Sequence, residues 1–192
     1  KNPCKTVKKF AVQNYSVRYL TKEEEEKLYK VLPEHLKPIV TVALNTGLRK
    51  ANILNLKWEQ INFDFNFIEV LENKGNKHIY LPLNKTLLEL FNSIPYEKRN
   101  GYVFINPETN KPYTDIKKAW TNSLKKANIE NFRFHDLRHS CASILLSEGF
   151  TLKDVQEWLG HSDITLTANI YGHLDIKRKQ SIADSMANIV RC

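Results

Sequence analysis

The chain has 192 residues, of which 42% are hydrophobic and 10% aromatic, enough to fill one domain core and to exclude wholesale disorder. Its 29 lysines and arginines exceed its 21 acids by eight, which favours a polyanionic partner. No apolar run is long enough to span a membrane, and three scattered cysteines indicate neither a disulfide framework nor a metal site. Together these features favour a cytoplasmic protein that binds nucleic acid.

The first 20 residues contain basic side chains, a proline and no acid, and they show no apolar periodicity. This composition predicts a basic linker or arm over residues 1–20, although an ordinary solvated terminus fits the same pattern. We therefore predict one domain over 21–192, and an opening linker suggests that another domain precedes it.

Helix signals open this domain. Thr21-Lys22-Glu23-Glu24 is a capping box, so we predict that a helix begins near Thr21 and is interrupted at Pro33. A second, apolar helix is predicted over 35–45. It ends at Thr46-Gly47, and a short helix follows over 51–56.

The periodicity then changes to that of strands. β-Branched and aromatic residues are dense over 60–64, 67–73 and 77–83, and Lys74-Gly75-Asn76 separates the last two segments. The last two segments predict a hairpin, and all three predict a small antiparallel sheet.

The rest of the chain returns to a helical pattern. Asn84 and Thr114 are the predicted N-caps of helices over 85–93 and 115–127, on either side of an irregular loop. The last third predicts further helices, over 134–147, 151–159, 163–170 and 175–190. The predicted fold is mainly α, with a small three-stranded antiparallel β-sheet inserted after the first helices.

The helix predicted over 134–147 contains several titratable residues. At about 100° per residue, its apolar side chains form one stripe, which consists of Phe134, Leu137, Cys141, Ile144 and Leu145. His135 and Arg138 lie at the edge of this stripe, where a guanidinium can bind two phosphate oxygens. Residues so placed more often make structural hydrogen bonds, so that alternative stays open. His135 and His139 also suit a metal ion, but the intervening arginine and the lack of a third ligand argue against one.

Further candidates lie at junctions between predicted elements, where functional residues tend to be placed. Arg49 follows the end of a helix, and Lys74 occupies the hairpin tip with Lys77 as a competitor beside it. His161 begins one helix and Tyr171 ends that helix. Taken singly, each has an ordinary alternative as a solvated cation, a capping group or a packed side chain.

Taken in order, these motifs resemble the catalytic domain of the tyrosine recombinases, the phage integrase family. The matching segments span 46–173 and are Thr46-Gly47-Leu48-Arg49, Asn73-Lys74-Gly75-Asn76-Lys77 leading to Leu81-Pro82-Leu83, His135-Asp136-Leu137-Arg138-His139-Ser140, Leu159-Gly160-His161-Ser162 and Tyr171-Gly172-His173. The resemblance implies the DNA breaking-rejoining fold of that family and the activity of a site-specific DNA recombinase, or integrase.

The resemblance makes Tyr171 the nucleophile. It attacks a scissile DNA phosphate, forms a covalent 3′-phosphotyrosyl intermediate and frees a 5′-hydroxyl. The intermediate conserves the phosphodiester as a protein ester, so neither a metal nor a high-energy cofactor is implied. An ordinary tyrosine pKa near 10 leaves only about a thousandth of the phenol ionised at pH 7, so its neighbours must help.

The resemblance gives the neighbours of the nucleophile their roles. Arg49, Arg138 and His161 bind the phosphate oxygens. His135 manages the tyrosine proton, and Lys74 protonates the leaving 5′-oxygen. Such a set of cations and donors suits the charge that develops on the phosphate in the transition state.

The resemblance also implies double-stranded DNA as the partner and a homotetramer of full-length subunits assembled on it. The helix over 175–190 would contact the neighbouring subunit, and the alternative is that it folds back on its own core. Accessory directionality factors, a mobile genetic element and a location at the nucleoid belong to the same expectation. The family's N-terminal core-binding domain is expected to be absent from this chain.

One position departs from the family pattern. Asn52 stands where a carboxylate usually follows the first arginine by three residues, so a negative charge is missing beside Arg49. Two other functions stay open: a type IB topoisomerase, which relaxes supercoils, and a DNA-binding module that has lost catalysis.

Overall fold

The computed structural model describes residues 18–72, 77–161 and 164–172, together with 180 and 183. The helices are α1 (Lys22–Val31), α2 (Leu36–Thr46), α3 (Lys50–Leu54), α4 (Lys85–Asn92), α5 (Lys117–Ala127), α6 (Asp136–Ser147), α7 (Leu152–Leu159) and α8 (Ile164–Tyr171).

 The strands are β1 (Ile61–Asn62), β2 (Phe67–Glu72), β3 (Lys77–Pro82), β4 (Ile105–Asn106) and β5 (Lys111–Pro112). Among the described residues, no helix is long and apolar enough to cross a membrane.

Helix starts follow the capping signals in the sequence. The Thr21 hydroxyl accepts a hydrogen bond from the Glu24 N–H at 3.2 Å, and the Glu24 carboxylate accepts one from the Thr21 N–H at 3.1 Å. The predicted capping box is therefore confirmed. Asn84 caps α4 as predicted. Thr151 and Asp154 form a second capping box, which begins α7 (Leu152–Leu159).

The three-stranded sheet is confirmed, with the strands in the order β1-β2-β3 and antiparallel pairing throughout. Ile68 pairs with Leu81 and Val70 pairs with Ile79, and all four side chains are buried. Because alternate residues of a strand face the same side, these pairs place one face of the sheet on the core. The predicted hairpin tip, with Lys74, lies outside the described residues.

Two details of the predicted elements are wrong. β1 is shorter than the predicted strand over 60–64, because a turn follows Asn62. The Asn62 side chain accepts a hydrogen bond from the Phe65 N–H in this turn, and Asn66 adopts a left-handed φ of 54°. Thr114 is not the N-cap of α5. The helix begins at Lys117, whose N–H is bound by the Asp115 carboxylate at 2.9 Å.

The ends of the domain are described only in part. Within the predicted arm, Arg18 forms an ion pair with Glu24 at 2.6 Å and donates a hydrogen bond to the Glu130 carbonyl at 2.8 Å. The arm up to residue 17 lies outside the described residues. Within the tail helix predicted over 175–190, residues 180 and 183 are helical and the others lie outside the described residues.

The core has two parts, and α6 lies between them. Every residue from Asp136 to Ala142 is buried, so the first half of α6 is enclosed on all sides. The smaller part of the core joins α6, α7 and α8 and consists of Ala142, Leu146, Val155, Leu159 and Tyr171. The predicted apolar stripe of this helix is therefore wrong at Ile144, which is 48% exposed, while Leu146 is buried.

Gly47 ends α2 where three elements meet. Its φ of 65° is left-handed, which glycine adopts without strain. A Cβ at this position would collide with the Leu159 side chain and lie 3.3 Å from Cys141 Sγ. The absence of a side chain therefore lets the end of α2 approach α6 and α7.

We predict that Gly47→Ala lowers the free energy of unfolding by about 2–4 kcal/mol, since it adds both left-handed backbone strain and a buried collision. Gly101→Ala is the matched control, because Gly101 has the same φ of 65° and no atom within 4 Å of the added Cβ. The control should lose about 1 kcal/mol, from the backbone alone. Urea unfolding measures both values, and equal losses would contradict the close packing at Gly47.

Candidate active site

Tyr171 is the last residue of α8, and its side chain points into the protein. Only 1% of the residue is exposed, and its ring packs in the smaller part of the core. The hydroxyl lies 2.7 Å from Nδ1 of His139. The phenol is thus fixed by apolar packing around its ring and by a hydrogen bond at its oxygen.

His139 lies in the enclosed half of α6, beside a buried carboxylate. Its Nε2 is 4.0 Å from Oδ1 of Asp136. Asp136 accepts hydrogen bonds from the Arg133 backbone N–H at 2.7 Å and from the Arg133 guanidinium at 3.0 Å. Because a buried carboxylate is stable only with such donors, Arg133 accounts for the charge that lies next to the imidazole.

Arg138 is buried, with 4% of its surface exposed, and its guanidinium joins two helix ends. Nη1 donates to the Gly47 carbonyl at 2.7 Å, and Nη2 donates to the Leu159 carbonyl at 2.6 Å. Carbonyls at the C-terminal end of a helix lack an intrahelical donor, so these two are natural acceptors for a cation. The side chain that sequence placed at the edge of an apolar stripe therefore lies in the interior.

His161 follows Gly160, which ends α7 with a φ of 68°. The His161 N–H donates to the Gln156 carbonyl at 2.9 Å, and the Gln156 amide donates to the His161 carbonyl at 3.0 Å. Nδ1 of the ring lies 2.8 Å from Oγ1 of Thr167, in α8. Both the backbone and the ring of His161 are therefore fixed.

The pKa values show that these groups share one electrostatic environment. Burial lowers the pKa of His161 to about 4, and the positive charges of Arg138 and Arg49 lower it further, as do His139 and His135. Burial also lowers the pKa of His139 to about 4, with His135 as the next cause. The imidazoles of His139 and His161 are therefore neutral at pH 7 and act as hydrogen-bonding groups.

The tyrosine responds to the same burial in the opposite sense. Removal from water raises the pKa of Tyr171 well above its usual value, and the nearby Arg138 opposes this rise only in part. The phenol therefore holds its proton at neutral pH. Fixed guanidinium charges beside neutral donors and acceptors suit an anionic ligand such as a phosphodiester.

The structure brings five of the six predicted site residues into one electrostatic cluster. They are Arg49, His135, Arg138, His161 and Tyr171. Arg49 and His135 are exposed, whereas the other three are buried, so the cluster opens on the side of Arg49 and His135. The sixth, Lys74, lies outside the described residues.

The sequence did not single out His139 as a partner of the tyrosine. Its only predicted role was the disfavoured metal interpretation, whereas its Nδ1 faces Tyr171 and its Nε2 faces Asp136. Within the described ranges, no group of three His, Cys, Asp or Glu side chains could hold a metal ion. Cys141 is also close by, but burial raises the pKa of its thiol to about 12, so it stays protonated.

The chain matches known proteins in sequence and in fold. Residues 18–178 match the family model described as the phage integrase family. The integrase of Salmonella phage P22 is 34% identical over 176 residues, which cover 84% of this chain and 45% of that protein. The chain spans about half the length of the curated relatives that it matches.

Solved structures with the same fold include the catalytic domain of bacteriophage HP1 integrase. The superposition has a TM-score of 0.69 at 24% identity, and it covers 88% of this chain and 94% of the HP1 domain. A lambda integrase dimer bound to a COC′ core site has a TM-score of 0.69 at 19% identity, over 84% of this chain and 62% of its own. These similarities show the fold of the chain.

The buried imidazoles predict acid-sensitive stability. Their folded pKa values, about 4, lie below the unfolded value of about 6.5. Between these values the unfolded chain binds more protons, so stability is fully present above about pH 6.5 and is lost as the pH falls toward 4. His161→Asn, which retains a polar group opposite Thr167, should reduce this loss by about 2 kcal/mol once solvent screening is allowed for.

Urea unfolding at pH 7, 5.5 and 4.5 measures the effect in the wild type and the variant. His35→Asn is the control, because His35 is exposed and stacks on Tyr113, outside the cluster. It should leave the pH dependence unchanged. An equal acid-dependent loss in His161→Asn and in the wild type would contradict the buried, neutral state of His161.

Proposed function

Since the chain belongs to the phage integrase family, we propose that it is the catalytic domain of a site-specific DNA recombinase. It cleaves and rejoins double-stranded DNA through a covalent 3′-phosphotyrosyl intermediate on Tyr171. The observation that supports this function best is the convergence of Arg49, His135, Arg138, His161 and Tyr171, which are far apart in the sequence. Two guanidiniums and two imidazoles suit the charge that develops on a phosphodiester, and the phenol suits the nucleophile that attacks it.

The scissile phosphate binds on the open side of the cluster in this proposal. Arg49 and His135 are exposed there and meet the DNA first, whereas Arg138 and His161 lie deeper. The two carbonyls that hold Arg138 fix the plane of its guanidinium, which lowers the cost of ordering it when phosphate arrives. Asn52, half-buried in α3, supplies an amide where the family usually has a carboxylate.

The nucleophile must become accessible before it can attack. Only 1% of Tyr171 is exposed, so in this proposal the bound DNA has to open a path from the phosphate to the hydroxyl. The ester that then forms stores the energy of the broken phosphodiester, so rejoining needs no high-energy cofactor.

The leaving 5′-oxygen is far more basic than a phenolate and requires a proton. We assign this proton to Lys74, on the hairpin between β2 and β3, as the family resemblance implies. An acid on the opposite side of the phosphorus from the nucleophile is the arrangement that in-line displacement needs. Lys77 is the neighbouring alternative.

Partners and location follow from the same proposal. Double-stranded DNA is the substrate, and the solved lambda integrase with this fold is bound to a core site. The proposal also includes a homotetramer that assembles through the helix over 175–190. It further includes accessory directionality factors and a location in the cytoplasm, at the nucleoid. The P22 relative is the integrase of a phage, which supports a mobile genetic element as the setting.

Tyr171→Phe should abolish covalent capture of DNA, because the ring stays in place while the attacking oxygen is lost. The probe is a nicked suicide duplex selected from a randomised pool by covalent capture on the wild-type chain, and the measurement is the adduct fraction on a denaturing gel. Tyr96→Phe is the matched control, since Tyr96 is 83% exposed and lies outside the cluster. No wild-type adduct, or an undiminished adduct with Tyr171→Phe, would contradict the proposed function.

Lys74→Ala should slow cleavage of normal DNA by about 10²–10⁴-fold, the usual contribution of a general acid. It should have little effect on a duplex with a 5′-phosphorothiolate at the cleavage point, because a thiolate leaves without a proton. Single-turnover cleavage of the two duplexes gives the ratio, with Lys77→Ala as the matched control. If Lys74→Ala slows both duplexes equally, the acid is not Lys74, and Lys77 becomes the candidate.

A further inference from the structure

We propose that His139 is a further catalytic residue, which accepts a hydrogen bond from the Tyr171 hydroxyl at Nδ1 and takes its proton during attack. This inference rests on the proposed function of Tyr171 and adds a residue to it. The family resemblance assigned the proton to His135, four residues earlier. The contact geometry favours His139 instead.

The hydrogen bond between the two side chains is short and protected from water. The hydroxyl and Nδ1 are 2.7 Å apart, and the ring centroids are 5.6 Å apart at an angle of 57°. Tyr171 is 1% exposed and His139 is 8% exposed. A buried hydroxyl without a partner is unfavourable, so the pairing also fixes where the phenol points.

The surroundings of His139 determine which of its nitrogens accepts. Nε2 lies 4.0 Å from Oδ1 of Asp136, whose negative charge favours a hydrogen on that side of the ring. Asp136 is itself fixed by three hydrogen bonds from Arg133. With the hydrogen on Nε2, the lone pair of Nδ1 faces Tyr171, so the phenol is the donor and the imidazole is the acceptor.

His135 does not occupy this position. It is exposed, and its ring meets that of His139 edge to face, with centroids 5.2 Å apart and an interplanar angle of 90°. His135 therefore contacts the buried ring of His139 and is itself open to solvent. This placement suits a contact with the incoming phosphate and leaves the phenolic proton to His139.

Charged and titratable groups face His139 from every element packed against it. From α6 and the segment before it come His135, Asp136, Arg138 and Arg133, and of these only Asp136 raises the pKa of His139. From α8 comes Tyr171, and from the segment after α7 comes His161. The balance keeps the proton on the phenol until an anion enters.

The proton moves together with bond formation. A lone pair of the Tyr171 oxygen forms the new O–P bond, and the P–O5′ bond breaks with its electron pair passing to O5′. The phenolic proton passes to Nδ1 of His139, which becomes an imidazolium, and O5′ takes a proton from the general acid. The phenol becomes acidic as its oxygen bonds to phosphorus, and the anionic phosphate raises the basicity of the imidazole, so the transfer becomes favourable at that stage.

The test compares His139→Asn with the wild type in single-turnover adduct formation on the same nicked suicide duplex. The Asn carbonyl can accept the hydrogen bond in place of Nδ1 but cannot take a proton. We expect a rate about 100-fold lower at pH 7. The wild-type rate should be nearly constant between pH 6 and 8, whereas the variant rate should rise with pH as hydroxide replaces the missing base. His135→Asn is the matched control and should keep the flat profile.

Each outcome decides between the proposals. If Tyr171→Phe forms no adduct while His139→Asn reacts at the wild-type rate with a flat profile, the role of His139 is wrong and the proposed function stands. The same holds if His135→Asn alone acquires the pH dependence. An adduct on Tyr171→Phe contradicts both proposals.

A second measurement covers the case in which His139→Asn does not fold, as judged by circular dichroism. Nitrogen-15 NMR of histidine-labelled wild-type chain reports the tautomer of His139 directly. We expect the hydrogen on Nε2 and an Nδ1 resonance that shifts in Tyr171→Phe. A hydrogen on Nδ1, or no shift in that variant, would overturn the inference.

Discussion

The arrangement of the site depends on the buried guanidinium of Arg138. A buried cation is costly unless its donors are bound, and here they bind the carbonyls of Gly47 and Leu159. Both carbonyls lie at the C-terminal ends of helices, where unpaired acceptors and the negative end of the helix dipole favour a positive charge. The interaction therefore stabilises the arginine and also fixes the ends of α2 and α7 against α6.

This interaction explains why distant motifs converge. Arg49 follows Gly47 by two residues, His161 follows Leu159 by two residues, and His139 is adjacent to Arg138. In the first two motifs a residue that Arg138 binds lies two positions before a residue of the cluster, and in the third Arg138 itself is adjacent to His139. The first motif also needs a glycine at position 47 for packing, because a side chain there would collide with Leu159.

Local signals in the sequence predict the elements well, and the contacts between elements poorly. The caps at Thr21 and Asn84 depend on residues three positions away, so their pattern is visible in the sequence. Thr114 fits the same pattern, but the neighbouring Asp115 carboxylate makes the bond instead. Ile144 has the correct period for the core, yet α6 is enclosed only in its first half. His139 meets a phenol 32 residues away, and no local pattern distinguishes it from His135.

Burial gives the site a dependence on its substrate. It lowers the pKa of His139 to about 4 and raises that of Tyr171, so the proton in the hydrogen bond between them remains on the phenol at neutral pH. A free phenolate so close to Arg138 would be a reactive nucleophile in the absence of any target. An incoming phosphodiester adds negative charge to a cluster in which positive charges dominate, which favours the protonated imidazole. Under the proposed function, the anion on which the tyrosine acts is therefore also the charge that makes its deprotonation favourable, and activation of the nucleophile is tied to the arrival of DNA.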